Sequence, residues 1–495
     1  MLSKNPQLLL ATSVLLFAFI AGACSSPARG TQNPSVPPSV NWDDLSVYKA
    51  DLVQSEEAVL ASLGDASVYH LDLTVAPDFQ SVSGNEQVRY TNQETVDLPF
   101  VYFRLFPNES GGKETVSTAT VDLKAANFET ASSSTAIKVM LAQPLKPGAA
   151  VTIQLDFIVI MPAGTDNNFG LLGYFNNILA LDSFFPIIPV YDDKGWHIEI
   201  TDPKGDKTYN DAAFFLAKIN APSSMSLVAS GVEVSREVQG SNQVVTFADG
   251  PARDFYLVAS NQFARLSKTI GETTINSYYL PGEQTGAQKA LSVAHDAIMV
   301  YSNRFGTYPY TEFDIVPLAL TGGGIGMEYP GIVGIAVSIY DNEPLLETTV
   351  AHETGHQWFY DAVGNDQVNQ PWLDESMTQY ITGLYNLDIH GQAGWDNSEA
   401  EWNNFWSRVG KTEIPIGRPV ASYNGNTYGP IIYGRGPLFV AALADSIGAA
   451  AFNDCLQQYY LNFKWKVVTT QTYENWFQMR SGKNLDALFQ KWVLQ

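Results

Sequence analysis

The 495-residue sequence predicts an α+β protein: an N-terminal antiparallel β saddle or sandwich, followed by a mainly helical domain. Three observations carry this. A chain of this length exceeds what one hydrophobic core holds, so two or more domains are expected. Residues 68–263 consist of short alternating runs broken by turn residues. From residue 264 onward helical patterns dominate, starting with 287–303.

Taken from the N-terminus, residues 1–23 have the form of a signal peptide. Lys4 precedes an apolar run over 8–22 that is too short for a comfortable membrane span. The run ends in Ala21-Gly22-Ala23-Cys24, which resembles the bacterial lipobox. That resemblance implies cleavage before Cys24, a lipid anchor on it, and a location outside the cytoplasm on a bacterial membrane. Residues 24–42 are rich in Ser and Pro and read as a flexible tether. With Cys24 lipidated, Cys455 has no disulfide partner and reads as a small buried apolar residue.

Residues 43–263 form the expected β domain. Val68-Tyr-His-Leu-Asp-Leu-Thr-Val75 and Val151-Thr-Ile-Gln-Leu-Asp-Phe157 alternate apolar and polar residues. Strict alternation puts one face of a strand on a core and the other in water. Ser83-Gly84-Asn85 and Pro147-Gly148 supply breaks between runs. Residues 264–495 form the second domain.

Apolar residues make up 45% of the chain, which marks a packed globular protein. The formal net charge is −23, from 28 Lys and Arg against 51 Asp and Glu. Such a surface repels nucleic acid and anionic headgroups, so neither is an expected partner.

The chemistry concentrates in Thr349–Ser376. His352 and His356 are the only two of the chain's 6 histidines that stand four apart. On a helix they share one face and can reach one metal ion. Glu353 lies next to the first histidine, close to the metal without ligating it. A catalytic zinc takes three protein ligands and keeps one position open. Gly364 is expected to end the first helix, and Pro371 to open a second near Trp372 that carries Glu375.

His-Glu-Thr-Gly-His (352–356) and Trp-Leu-Asp-Glu-Ser (372–376), with their spacing, resemble the zinc signature of the aminopeptidase N and leukotriene hydrolase family of gluzincins. Gly324-Ile-Gly-Met-Glu-Tyr-Pro330 resembles that family's Gly-x-Met-Glu-Asn motif. Tyr433-Gly-Arg-Gly436 resembles its Tyr-x-Lys-Gly motif. Phe305-Gly-Thr-Tyr-Pro309 and residues 485–492 are weaker likenesses.

The resemblance implies a thermolysin-like catalytic domain packed on the β domain, with one Zn²⁺ per chain held by His352, His356 and Glu375. Glu353 would be general base. Tyr433 would donate a hydrogen bond to the oxyanion. Glu328 would bind the peptide's α-ammonium, with Gly326 and Met327 beside the substrate backbone. Peptides are the implied substrates. Tyr329 departs from the family's Asn, Ile325 from its Gly and Arg435 from its Lys. A second amine-binding residue is expected within 174–186, where Asn176, Asn177 and Asp182 are candidates. The expected function is a zinc aminopeptidase. An endopeptidase with an open cleft and a non-catalytic, zinc-stabilised binding protein are the alternatives. Retention of Glu353 speaks against the last, because a structural metal needs no base.

Overall fold

The computed structural model describes residues 41–495. The signal peptide, Cys24 and nearly all of the tether lie outside the described residues. Eight strands form the largest sheet, in the order Val232–Gln239, Asn242–Ala252, Ala213–Pro222, Val68–Val75, Ser81–Thr91, Ala150–Ile160, Lys113–Val121 and Lys124–Ala125. The alternation read in the sequence sets its faces. Val151, Ile153, Leu155, Phe157 and Val159 point inward, and the residues between them face out.

A three-stranded sheet (Leu98–Arg104, Ala136–Leu145, Phe128–Ala131) and a four-stranded sheet (Ser226–Ala229, Leu257–Ser260, Ile178–Leu181, Leu172–Phe175) share the large sheet's core. Val101, Val139, Leu179 and Leu257 pack with Leu73 and Ile153 in one cluster. The large sheet is antiparallel except at one place: Val68–Val75 pairs in parallel with Ala213–Pro222. A long excursion separates those two strands, so no hairpin fixes their direction.

A new sheet begins at Ala264. Its order is Ala264–Ile270, Thr273–Tyr279, Glu312–Leu318, Ile332–Ala336 and Gly326–Tyr329. The sequence reading of a mainly helical region missed it for a physical reason. Ile332–Ala336 is buried on both faces and reads as an unbroken apolar run, and Glu312–Leu318 alternates only over Glu312-Phe-Asp-Ile315 before Pro317, a residue that argues against a central strand. Gly326–Tyr329 forms the edge of this sheet, antiparallel to Ile332–Ala336.

Helices follow. Gln284–Phe305 extends the expected 287–303 segment and stops at Gly306, whose φ of 144° favours glycine. Glu343–Gly355, Glu375–His390, Gln392–Ser407, Gly436–Ile447, Ala449–Phe463 and Thr470–Ser481 pack around one core containing Trp358, Trp372 and Trp402. Cys455 is a free, buried cysteine within it. No single helix among the described residues is long and apolar enough to cross a membrane.

Two helix boundaries differ from expectation. The first helix ends at Gly355, with His356 at its C-cap, and not at Gly364. Gly364 pairs with Val467 instead, and a Cβ there would lie 2.1 Å from Cζ of Arg253. Glycine at 364 therefore serves a close approach rather than a cap. The second helix starts at Glu375, not Trp372. Pro371–Leu373 is a separate 3-10 turn, and the Asp374 side chain accepts from the Glu375 N–H at 2.7 Å.

Candidate active site

Glu343–Gly355 and Glu375–His390 bring the three expected metal ligands together. His352 Nε2 lies 3.2 Å from Glu375 Oε2 and 3.2 Å from His356 Nε2, and His356 Nε2 lies 3.5 Å from Glu375 Oε2. Zinc ligands at about 2.0–2.1 Å in a tetrahedron stand about 3.4 Å apart. The triangle therefore has the size that one zinc ion requires.

Proton positions fit as well. His356 Nδ1 lies 3.2 Å from the Phe359 carbonyl oxygen, which only accepts, so Nδ1 carries a proton and Nε2 faces the triangle. Burial alone would push His356 down, but hydrogen bonding to Glu375 outweighs it and lifts the ring to about 9. Burial likewise opposes ionisation of Glu375, and the two imidazoles outweigh it, holding the carboxyl well below the usual range. A proton on Nε2 and a metal ion thus compete for one position. Burial lowers the His352 ring, against the pull of its hydrogen bonds with Glu375 and Gln379.

Excess negative charge surrounds the triad. Burial, followed by repulsion from Glu328, raises Glu353 well above the normal carboxylate range. Burial and then Glu375 raise Glu328 in the same way. A cation held in the triangle would relieve both. The Glu353 carboxylate occupies the space a side chain at 326 would need: a Cβ on Gly326 would lie 1.9 Å from Glu353 Oε1. Gly326 was expected beside the substrate; the structure shows in addition that its missing side chain makes room for the proposed base.

Tyr433 sits on a π-helical turn, Pro430–Arg435, and its hydroxyl donates to Glu375 Oε1 at 2.6 Å. Arg435 anchors that turn from behind. Its side chain is buried and donates to the carbonyls of Trp492 at 2.5 Å and Lys491 at 2.9 Å. The guanidinium lies 4.7 Å from the centre of the Trp492 ring. Planar stacking with forked donation suits arginine better than lysine, which accounts for the departure at this position.

Glu328 is held from both parts of the fold. Gln367 Nε2 donates to its Oε1 at 3.2 Å, and Thr208 Oγ1 donates to Gln367 Oε1 at 2.7 Å. Gln357, directly after His356, fixes the same strand: it donates to the Tyr329 carbonyl at 3.1 Å and accepts from the Gly331 N–H at 2.8 Å. Tyr329 stacks on Tyr256 with ring centres 3.7 Å apart. Met327 lines the cleft beside Glu328.

Sequence reasoning missed Asp206. Ligand-type atoms of Asp206, Glu328 and Glu375 lie within 4.8 Å of one another. Asp206 belongs to the irregular stretch between Trp196 and Ala213, and burial, then Glu328, raises its carboxyl. The residues expected in that role lie elsewhere. Asn176 and Asn177 have positive φ of 52° and 64° and form the exposed turn of a two-stranded hairpin. Asp182 lines a small neighbouring cavity of about 60 Å³ that shares Asp206, Met327 and Glu328 with the cleft. The cleft itself is about 400 Å³, and His352, Glu353, Glu375 and Tyr433 also line it.

Residues 289–492 match the Peptidase family M1 domain. The matched segment contains His352, Glu353, His356, Glu375 and Tyr433. Among curated relatives, this chain is 25% identical over 280 residues to "Probable aminopeptidase 2" of Sulfurisphaera tokodaii, covering 53% of this chain and 35% of that one. It is 24% identical over 311 residues to "Aminopeptidase M1-B" of Oryza sativa subsp. japonica, covering 57% and 34%. It spans only about a third of the length of these relatives. The fold resembles that of an M1 zinc metallopeptidase from Deinococcus radiodurans, with a TM-score of 0.65 and 20% identity, over 87% of this chain and 94% of that one.

Proposed function

We propose that the chain is a zinc-dependent aminopeptidase. The observation that carries this is the pairing of a zinc-sized ligand triangle with two further carboxylates, Asp206 and Glu328, at one end of the same cleft. Held by His352, His356 and Glu375, one zinc ion would supply Lewis acidity, polarising the scissile carbonyl and lowering the pKa of a water towards about 7. Glu353 takes the water's proton on its carboxylate and passes it to the leaving amine. Tyr433, keeping its proton, donates a hydrogen bond from its hydroxyl to the developing oxyanion. Asp206 and Glu328 accept hydrogen bonds from the peptide's α-ammonium, which places the first peptide bond at the metal.

Acetylating the substrate amine removes that charge and leaves the two carboxylates facing a neutral amide. Free peptides should therefore exceed their acetylated forms in kcat/KM by a factor of about 10². Glu328→Gln should shrink this ratio more than it slows the blocked peptide. The check is four kcat/KM values, for each peptide with each enzyme. Equal turnover of both peptides by the wild type, or cleavage of internal bonds first, would replace the aminopeptidase by an endopeptidase.

We also propose that Cys24 is the lipidated N-terminus of the exported protein, supported by its position at the end of the apolar run. Cells fed a tagged fatty acid should label the wild type and not Cys24→Ser. Equal labelling of the two would exclude the anchor.

A further inference from the structure

Beyond the metal ligands the cleft runs on to a second end. Glu328, Glu353 and His356 cluster at the first, and Asp206 joins Glu328 there. From His356 the helix runs back through His352, Thr349, Thr348 and Leu345. The last four line the cleft, as residues three and four apart on one helix face do. Gln379, one turn past Glu375, lines it too. The helix Gln392–Ser407 adds Glu401 and Phe405, again four apart.

Charge is one-sided in this cleft. Asp206, Glu328, Glu353, Glu375 and Glu401 line it, and no Lys or Arg does. The metal, the scissile bond and the α-ammonium account for the first four. Glu401 has no such task. It is exposed, and the cation that acts on it, Arg408, lies 3.9 Å over the Phe405 ring and outside the cleft lining.

We infer that this second end receives the side chain of the peptide's second residue, and that Glu401 and Phe405 make it a subsite for a basic side chain. The inference rests on the aminopeptidase reading. With the α-ammonium held by Asp206 and Glu328, the residue after the scissile bond lies on the far side of the metal. A Lys or Arg there lays its aliphatic stem on Phe405 and carries its charge to Glu401. An acidic side chain meets a like charge with no cation in the lining to offset it.

The test uses the full chain with Ala-Lys, Ala-Leu and Ala-Glu amides, and with alanine 4-nitroanilide, which has no second side chain. Ala-Lys should exceed Ala-Glu in kcat/KM by about tenfold at low salt, a scale set by one attraction and one repulsion at an exposed site. Added salt should compress the ratio. Glu401→Gln should bring it to about twofold, and Glu401→Lys should invert it. Turnover of the anilide with a ratio near one in the wild type overturns the subsite and leaves the aminopeptidase standing. So does a ratio that neither substitution moves. If the anilide and every peptide resist cleavage, the aminopeptidase reading falls and this inference with it.

Discussion

Glu353→Gln should retain its zinc and lose catalysis by a factor of about 10²–10⁴, the range for a positioned proton-transfer group. The amide has the shape of the carboxylate and cannot accept the water's proton. It also removes one of several crowded negative charges, since Glu328 and Glu375 both repel Glu353 in its buried site. The substitution should therefore not loosen the metal. His356→Ala makes the opposite comparison. It deletes one corner of the 3.2, 3.2 and 3.5 Å triangle, so metal and activity should go together. Metal content measured beside kcat for the two variants separates the roles. A Glu353→Gln enzyme with near-normal kcat would sink the mechanism.

Tyr433→Phe should lower kcat by about 10²–10³, the cost of one oxyanion donor, with a much smaller change in KM. The hydroxyl must be protonated for this role. Burial, followed by the nearby Glu375 carboxylate, raises it well above the usual phenol range, so it is a donor at neutral pH. Its single proton points to Glu375 Oε1 in the structure, at 2.6 Å. Stabilising an oxyanion therefore requires that proton to turn from Glu375 to the substrate, a small hydroxyl rotation that leaves the ring in place. A loss confined to KM would assign Tyr433 to binding, and a loss of zinc would assign it to ordering Glu375.

The candidate ligand cluster of His352, His356 and Glu375, with Glu353 beside it, was legible in the sequence because metal chemistry would fix its spacing. Two ligands one helical turn apart and a base between them leave a pattern that survives translation into one dimension. The helix ends were not. Gly364 has the composition of a cap, yet the contact with Arg253 that gives it meaning comes from just past the end of a strand, more than a hundred residues earlier. Asp206 left no signal either: it lies in a stretch without strand or helix, so neither periodicity marks it, and only the folded chain sets it against Glu328. The alternating strands of the β part were readable, whereas Ile332–Ala336 was hidden by being apolar on both faces and Glu312–Leu318 by its Pro317. Gln357 and Gln367 carry no motif, and their importance is visible only in the hydrogen bonds they complete.

The Thr208–Gln367–Glu328 chain crosses from one part of the fold to the other, and Asp206 lies two residues from its start. Everything that would break a bond comes from residues 352–433, whereas part of what would choose the bond comes from the stretch near 206. Synthesis runs from the N-terminus and domains generally fold as units in that order. The stretch near 206 is thus made first, whereas Glu328 and Gln367, which complete the selecting cluster, are made with the residues of the metal site. The choice of bond would therefore be complete only once the two stretches have met in the folded chain, and residues 352–433 alone would not supply it.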